Sequence, residues 1–423
     1  IEEIPDNIRY WPARGNENAD DRPGYGGIGV PTQNLARFYD VNNDNLYDPL
    51  DGDYPLLPGT YSDTGRYAFA SNGCSRCSDI DLNPGAGADQ VVWWVANDVG
   101  ATKRYNVPNP ASALTPLGLE IQYEAFGYSA SDPTNDMTFL RQLIINKGNL
   151  IIDSCYFGQW TDPDLGNYND DYIGCDVRRG LAICYNGDDF DEGAQGYGFN
   201  PPSVAVDFFY GPFADANDGI DNNKNGEIDE DCEAIIMSNF MYFNNTGTGI
   251  PDFSTDPDSP LEYYGFLRSF WKNGNPLRHD FDGGFSVDPQ FTITKCAFPS
   301  RTDPLGSCCG FIGAPCGSPA QTWDEATAGR PPGDRRFLIS AGPFTLTPGM
   351  VNEVTIGMVW ARATTGGSRG SFGLLLKADD LAQRRFDDCF SRLVGPFIPN
   401  LEIAELDGEL VFNIIPDTIS RSP

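Results

Sequence analysis

The chain has 423 residues, and its 28 Lys and Arg face 60 Asp and Glu, a formal net charge of −32. So acidic a surface repels phosphate backbones and anionic bilayers, and no run approaches the roughly 18 apolar residues of a membrane span, so neither nucleic acid nor membrane insertion is expected. With 47 glycines and 33 prolines, turns are abundant and long helices should be few, which predicts an all-β protein.

Residues 1–87 read as an irregular N-terminal region. The chain opens in mid-phrase with "IEEIPDNIRYWPARGN" and has no signal peptide, as expected of a mature or cut piece of something longer. A main domain follows over 88–397. "QVVWWVAND" reads as a buried strand and "GLEIQYEAFGYSA" (118–130) as a half-buried one. With "MTFLRQLIINKG" and "LIIDSCYFGQW", the latter makes three consecutive strands joined by short polar links, which predicts an antiparallel meander.

Further on, "YIGCDV" and "LAICYN" flank Arg178-Arg179-Gly180 as a hairpin. It could set Cys175 opposite Cys184 in a cross-strand disulfide; two buried thiols would look the same in sequence. "AVDFFYGPF" and "EAIIMSNFMYFNN" are further strands, and "RRFLISAGPFTLTPGMVNEVTIGMVWARA" supplies two or three more around the turn "TPGMVN". One helix is expected in "GLLLKADDLAQRRFDDCFSRL", with Leu374, Ala378, Leu381, Ala382, Phe386, Cys389, Phe390 and Leu393 on its apolar face and Pro396 and Pro399 beyond it. Residues 398–423 hold a hairpin around Asp407-Gly408 that starts a further, incomplete β domain. The expected architecture is an antiparallel β-sandwich with long acidic loops and one C-terminal helix.

Two segments have the spacing of calcium loops. In "DVNNDNLYDPLDGD", EF-hand positions 1, 3, 5, 7, 9 and 12 fall on Asp40, Asn42, Asp44, the carbonyl of Leu46, Asp48 and Asp51. Asn45 suits the left-handed sixth position, and Tyr47 is placed to pack inward. The Asp at position 12 makes the stretch similar to dockerin-type loops, but it occurs once and no helical pattern flanks it. In "DANDGIDNNKNGEIDEDC", Asp221, Asn223, Asn225, the carbonyl of Glu227, and Asp229 follow the pattern of thrombospondin-type-3-like extracellular calcium repeats. Asp231 is a possible closing ligand, and Asp215 and Asn217 are further candidates. The plain alternative for both is a solvated Asx-rich turn. "TDPDLGNYNDD" (161–171) matches no ligand template, and "YNGDDFDEG" (185–193) reads as a solvated turn.

Eleven cysteines, among them Cys74-Ser-Arg-Cys77 and "CCGFIGAPC", favour an oxidising compartment and disulfides over zinc. The odd total leaves at least one cysteine free or paired outside this segment. No catalytic constellation stands out. The lone histidine, His279, lacks a nucleophile context and reads as structural or surface. Among 60 acids no glycosidase pair can be singled out. Trp93, Trp94 and Trp360 lie in apolar strand patterns, whereas Trp11, Trp160, Trp271 and Trp323 lie near loops and are the candidates for a sugar platform. "NNT" at 244–246 is a sequon, and Asp417-Thr418-Ile419 resembles a D-T-hydrophobic O-glycosylation pattern.

The phrases "YWPARGN", "FYDVNNDNLYDPLDGDYP", "FGQWTDPDLGNYNDDYIGCD", "GPFADANDGIDNNKNGEIDED" and "DRRFLISAGPFTLTPGMVNEVTIGMVWARAT" resemble one group of large secreted Bacteroidota surface proteins. Members of that group carry a C-terminal sorting domain for type IX secretion. The resemblance implies an extracellular or outer-surface location, contact with the type IX secretion machinery, and further segments on both sides of this chain. It carries no enzymatic activity to named positions, and "CSRC" and "CCGFIGAPC" depart from the group's pattern. The function expected is that of a secreted structural or adhesive protein, not an enzyme, that binds Ca2+ and meets other surface proteins or glycans. The alternatives are a carbohydrate-binding or glycan-degrading protein, and a filament subunit or passive secretion cargo.

Overall fold

The computed structural model describes residues 4–21, 35–56, 88–98, 116–245, 247, 249–303, 322–388, 390, 400–406 and 409–415. In chain order these form α1 (Asp6–Arg9), β1 (Phe38–Tyr39), β2 (Tyr54–Pro55), β3 (Gln90–Asn97), β4 (Leu119–Gly127), β5 (Met137–Asn146) and β6 (Ile152–Thr161). Next come β7 (Asp171–Asp176), β8 (Leu181–Asn186), β9 (Phe190–Asp191), β10 (Gly198–Phe199), β11 (Ser203–Tyr210), β12 (Asn239–Asn244) and α2 (Pro260–Leu267). The last elements are β13 (Arg335–Leu346), β14 (Val351–Ala361), α3 (Gly367–Asp387), β15 (Asn400–Leu406) and β16 (Glu409–Ile415).

The framework is a β-sandwich. A seven-stranded antiparallel sheet, ordered β3-β4-β5-β14-β11-β8-β7, faces a three-stranded sheet ordered β12-β13-β6. Ile144, Val206, Phe208, Val354 and Ile356 from the large sheet meet Phe240, Tyr242, Phe337, Ile339 and Phe344 from the small one in a single core. The opposite face of the large sheet is covered by α3, whose Leu375, Ala378, Ala382 and Phe386 pack on Phe139, Phe209 and Val359. Helix α2 covers the outer face of the small sheet, where Phe266 meets Phe243 edge-on at 5.4 Å. Strands such as β7 and β11 are therefore buried on both faces, and their sequences are mostly apolar, with Asp171 and Asp176 at the ends of β7 and Asp207 within β11.

Several expectations are corrected. The meander is β3-β4-β5. Strand β6 leaves it and pairs with β13 in the other sheet, while β14 takes the place beside β5. "TPGMVN" forms the expected turn, and it carries the chain from one sheet to the other. Strand β3 is not buried: it is an edge strand, and Val91, Val92 and Trp94 are exposed. The hairpin β7–β8 forms as expected, but its register sets Cys175 opposite Ala182 and Cys184 opposite Ile173, and both thiols are buried and free. No cross-strand disulfide forms there, whereas Cys232 and Cys296 are each engaged in a disulfide. Helix α3 begins six residues before Gly373 and ends at Asp387. Ala378, Ala382, Phe386 and Phe390 of the expected apolar face are buried, but at its start Leu375 turns inward and Leu374 is left 39% exposed. Cys389 and Leu393 lie outside the described residues, as do "CSRC", "CCGFIGAPC" and Asp417-Thr418-Ile419. No described helix is long and apolar enough to cross a membrane.

Candidate metal centres

The segment Asp40–Asp53 closes into a tight loop held by its own carboxylates. Asp40 accepts from the backbone N–H groups of Asn43 (2.7 Å) and Asn45 (2.8 Å), Asn42 from Asp44 (3.0 Å), and Asp44 from Leu46 (2.7 Å). Asn43 and Asn45 both adopt φ of 61°, the left-handed conformation that Asn tolerates better than most residues. The amide of Asn42 donates to Asp44 Oδ2 at 3.1 Å and to Asp51 Oδ2 at 3.2 Å, so positions 3, 5 and 12 of the pattern converge on one point. Asp48 instead accepts from Leu50 N.

Two residues fasten this loop to the fold. Asp53, 3% exposed, accepts from Val41 N and Asp48 N at 2.9 Å each, tying the loop's entrance to its exit. Tyr47, 1% exposed, packs with Trp11, Ala13 and Ala36. Burial, and then the charges of Asp53 and Asp48, push its phenol well above the usual range, so it stays a neutral donor. Asp53 lay beyond the ligand pattern and was not singled out from the sequence.

The second loop is built alike, with a different closing residue. Asp221 accepts from Asn225 N (3.0 Å) and Gly226 N (2.9 Å), and Asn225 Oδ1 accepts from Glu227 N (2.8 Å). Gly226 sits at φ of 100°, a backbone position glycine takes without strain. The amides of Asn223 and Asn225 both donate to Glu230 Oε2, at 2.8 and 2.6 Å. Glu230 is thus the acid that converges with Asn223 and Asn225. Asp229 accepts from Gly219 N, and Asp215 is engaged by the N–H and hydroxyl of Thr345. The usual spacing ends such loops on an Asp, so Glu230 escaped the sequence pattern.

The segment 161–171 splits in two. Asp162 and Asp164 gather with Asp334, their oxygens within 4.8 Å of one another. Arg336 already serves that group, bonding Asp162 at 3.0 Å and Asp256 at 3.2 Å. Asp170 accepts from the Asn167 amide at 3.0 Å and Asp171 from Leu165 N at 3.1 Å, and Asp171 feels the charges of both Asp164 and Asp191, the latter supplied by β9 from the segment 185–193.

His279 is buried and stacks on Trp323 at 4.5 Å. Burial pulls its pKa down to about 4 against a small opposing effect of Asp280, so the ring is neutral and structural. Trp11, Trp271 and Trp323 are core residues, contrary to the expectation for loop-borne tryptophans; Trp94 and Trp160 are the exposed ones. Asn244 of the sequon is 1% exposed, with its amide on Ser254, which removes it as an N-glycan acceptor. A cleft of about 460 Å3 opens beside the β7–β8 edge and the start of α3, walled by Tyr172, Tyr185 and Phe372 with Asp188, Asp324 and Arg369.

No protein-family model matches the chain, and no curated protein matches it significantly.

Proposed function

We propose that the protein is a secreted, outer-surface structural or adhesive component whose acidic loops are fixed by calcium. The reading is carried by the convergence of Asp44 and Asp51 on Asn42, within a loop whose backbone is already folded by Asp40. Carboxylates drawn this close repel one another, and a divalent cation would replace repulsion with coordination. In the first loop Asp40, Asn42, Asp44 and Asp51 would ligate, with the Leu46 carbonyl at position 7 and Asp48 reaching through water. In the second, Asp221, Asn223, Asn225 and Glu230 would ligate, with the Glu227 carbonyl, and Asp229 and Asp231 would lie outside them.

Extracellular calcium modules bind with dissociation constants on the order of 10⁻⁴–10⁻³ M, so at about 1 mM calcium each loop would add roughly 0.4–1.4 kcal/mol of stability. That is a fastening role, not a sensing one. The resemblance to type IX cargo and the acidic, turn-rich composition support an extracellular setting, and the disulfides of Cys232 and Cys296 fit one. The partners would be other surface proteins or glycans.

The test is a melting curve with and without chelator, paired with metal analysis of the purified protein. Bound calcium and a fall of about 1–3 °C per emptied loop are expected. An unchanged melting temperature together with no bound calcium would sink the proposal. A second reading, binding of a small saccharide, is favoured by the aromatic-walled cleft at Tyr172, Tyr185 and Phe372, whose size suits such a ligand. A glycan array with wild type and Tyr185→Ala separates the two readings.

A further inference from the structure

The cleft beside β7–β8 is assembled from distant parts of the chain. Its floor is the side of the hairpin that faces α3, where Tyr172 and Tyr185 pair across the strands with ring centroids 5.9 Å apart. The start of α3 forms one wall, and Phe372 meets the Tyr185 ring edge-on at 5.5 Å. That wall is fixed, since Ser368 donates through its hydroxyl to the Asn186 carbonyl at 2.7 Å and through its N–H to Asp189 at 3.1 Å. The segments around Ser300 and Asp324 form another wall. They are held on β7 by Cys175 N donating to the Phe298 carbonyl (3.2 Å) and the Tyr172 hydroxyl donating to the Arg330 carbonyl (2.8 Å). The cavity of about 460 Å3 is therefore formed before any ligand arrives.

Several of its polar groups are unengaged. Asp188 Oδ1 accepts from Phe190 N and Asp324 Oδ1 from Thr327 N, each at 2.7 Å, and the second oxygen of both has no partner among the described residues. The hydroxyls of Tyr185 and Ser300 are likewise unused there, and Arg369 forms no ion pair or hydrogen bond among the described residues. With Asp189, three carboxylates line the cleft against this one guanidinium. Asp189 is compensated by the positive end of α3, through Ser368 N. A neutral ligand that expelled water from the cleft would leave Asp188 and Asp324 desolvated without a counter-charge. An ammonium group supplies one, and the negative faces of the aromatic rings attract it as well.

We propose that the cleft takes a saccharide bearing free amines, its ring face on Tyr172, Tyr185 and Phe372 and its ammonium groups met by Asp188 and Asp324. This rests on the reading of the cleft as a saccharide site and names the class of sugar. A pyranose offers an apolar C–H face to the aromatic rings, and its hydroxyls find partners in Arg369, Tyr185 and Ser300. The formal charge of −32 on the chain also draws a cationic ligand toward it.

Isothermal titration calorimetry of the full chain tests this with a glucosamine disaccharide, its N-acetylated counterpart, the neutral glucose disaccharide of the same linkage, and cyclohexylammonium. Wild type should bind the glucosamine disaccharide about tenfold more tightly than any of the other three, the scale of one charge-assisted hydrogen bond. Asp188→Asn and Asp324→Asn should each reduce that preference severalfold and leave binding of the neutral disaccharides unchanged. If Asp324→Asn disturbs the turn at Thr327, Asp188→Asn decides, because Asp188 is exposed. All three disaccharides bound alike, with binding lost in Tyr185→Ala, would overturn the role of the amine and leave the saccharide reading standing. Cyclohexylammonium bound as tightly as the glucosamine disaccharide would overturn the saccharide reading and this inference with it, as would no binding of any probe.

Discussion

The hydroxyl of Tyr47 donates to the backbone carbonyl of Ile8 at 2.7 Å, across 39 residues of chain. Its ring lies among Trp11, Ala13 and Ala36, and Trp11 stacks on Trp93 of β3 at 4.6 Å. The Asp40–Asp53 loop at the surface is thereby connected to the edge of the main sheet. Tyr47→Phe should cost about 1 kcal/mol, the net worth of one buried hydrogen bond. Tyr47→Ala should cost about 3–5 kcal/mol through the cavity it leaves. Urea denaturation measures both; equal stability of the two variants would contradict the anchoring role.

Glu325 is fully buried and bonds Arg335 Nε at 2.9 Å and the N–H of Ile173 at 2.8 Å. Replacing it by Ala strands both partners in the interior. A loss of about 3–5 kcal/mol is expected for Glu325→Ala, with partial recovery when Arg335→Met is added, since the second change removes the uncompensated charge. A double mutant no better than Glu325→Ala would show that the pair is not coupled.

Under α3, Asp379 meets Asp207 of β11. Burial and the adjacent Asp379 push Asp207 well above the carboxylate range, and burial, partly offset by Asp207 and Arg179, raises Asp379 to about 7. In the unfolded chain both titrate near pH 4. Between pH 4 and 7 the folded protein therefore binds more protons than the unfolded one, and stability falls as pH rises. Asp379→Asn removes one of these protons, so its melting temperature should decline less steeply over that window. Parallel profiles for the two proteins would refute the assignment.

Cys175 and Cys184 are fully buried, and burial raises both thiols well above their ordinary value; half-buried Cys155 is raised to about 11 by burial and by Asp153 and Asp215. Because the thiolate is the reactive form, alkylation near pH 8 should leave Cys175 and Cys184 unmodified in the folded protein and label them only on unfolding. Peptide mapping after iodoacetamide checks this. Rapid native labelling of either one would contradict the β7–β8 packing.

Much of this fold was legible because local pattern and local partner coincide. The β7–β8 hairpin follows from two apolar runs around Arg179-Gly180, and β15–β16 from the Asp407-Gly408 break; the tight turn at Asp40 follows from its run of Asn and Asp, whose side chains bond the backbone locally. Strand β4 shows where this stops. Its alternation was visible, but the fully buried face carries Glu120, Gln122 and Glu124, while Leu119, Ile121 and Tyr123 are only half-buried. The acids are tolerated there because Lys147 meets Glu120 and Arg141 lies 3.8 Å from Glu124 and 2.7 Å from Glu353. Counter-charges that arrive from other strands leave no mark on a strand's own period.

Composition, strand period and turn chemistry were enough to specify a β-rich chain with acidic loops and one amphipathic helix, since each is a property of neighbours along the backbone. Which sheet β6 joins, that Leu375 and not Leu374 of α3 turns inward, and that the buried face of β4 carries its acids depended on contacts between distant segments. Such contacts are selected by the free energy of burying whole faces against one another, and no stretch of sequence carries that quantity alone.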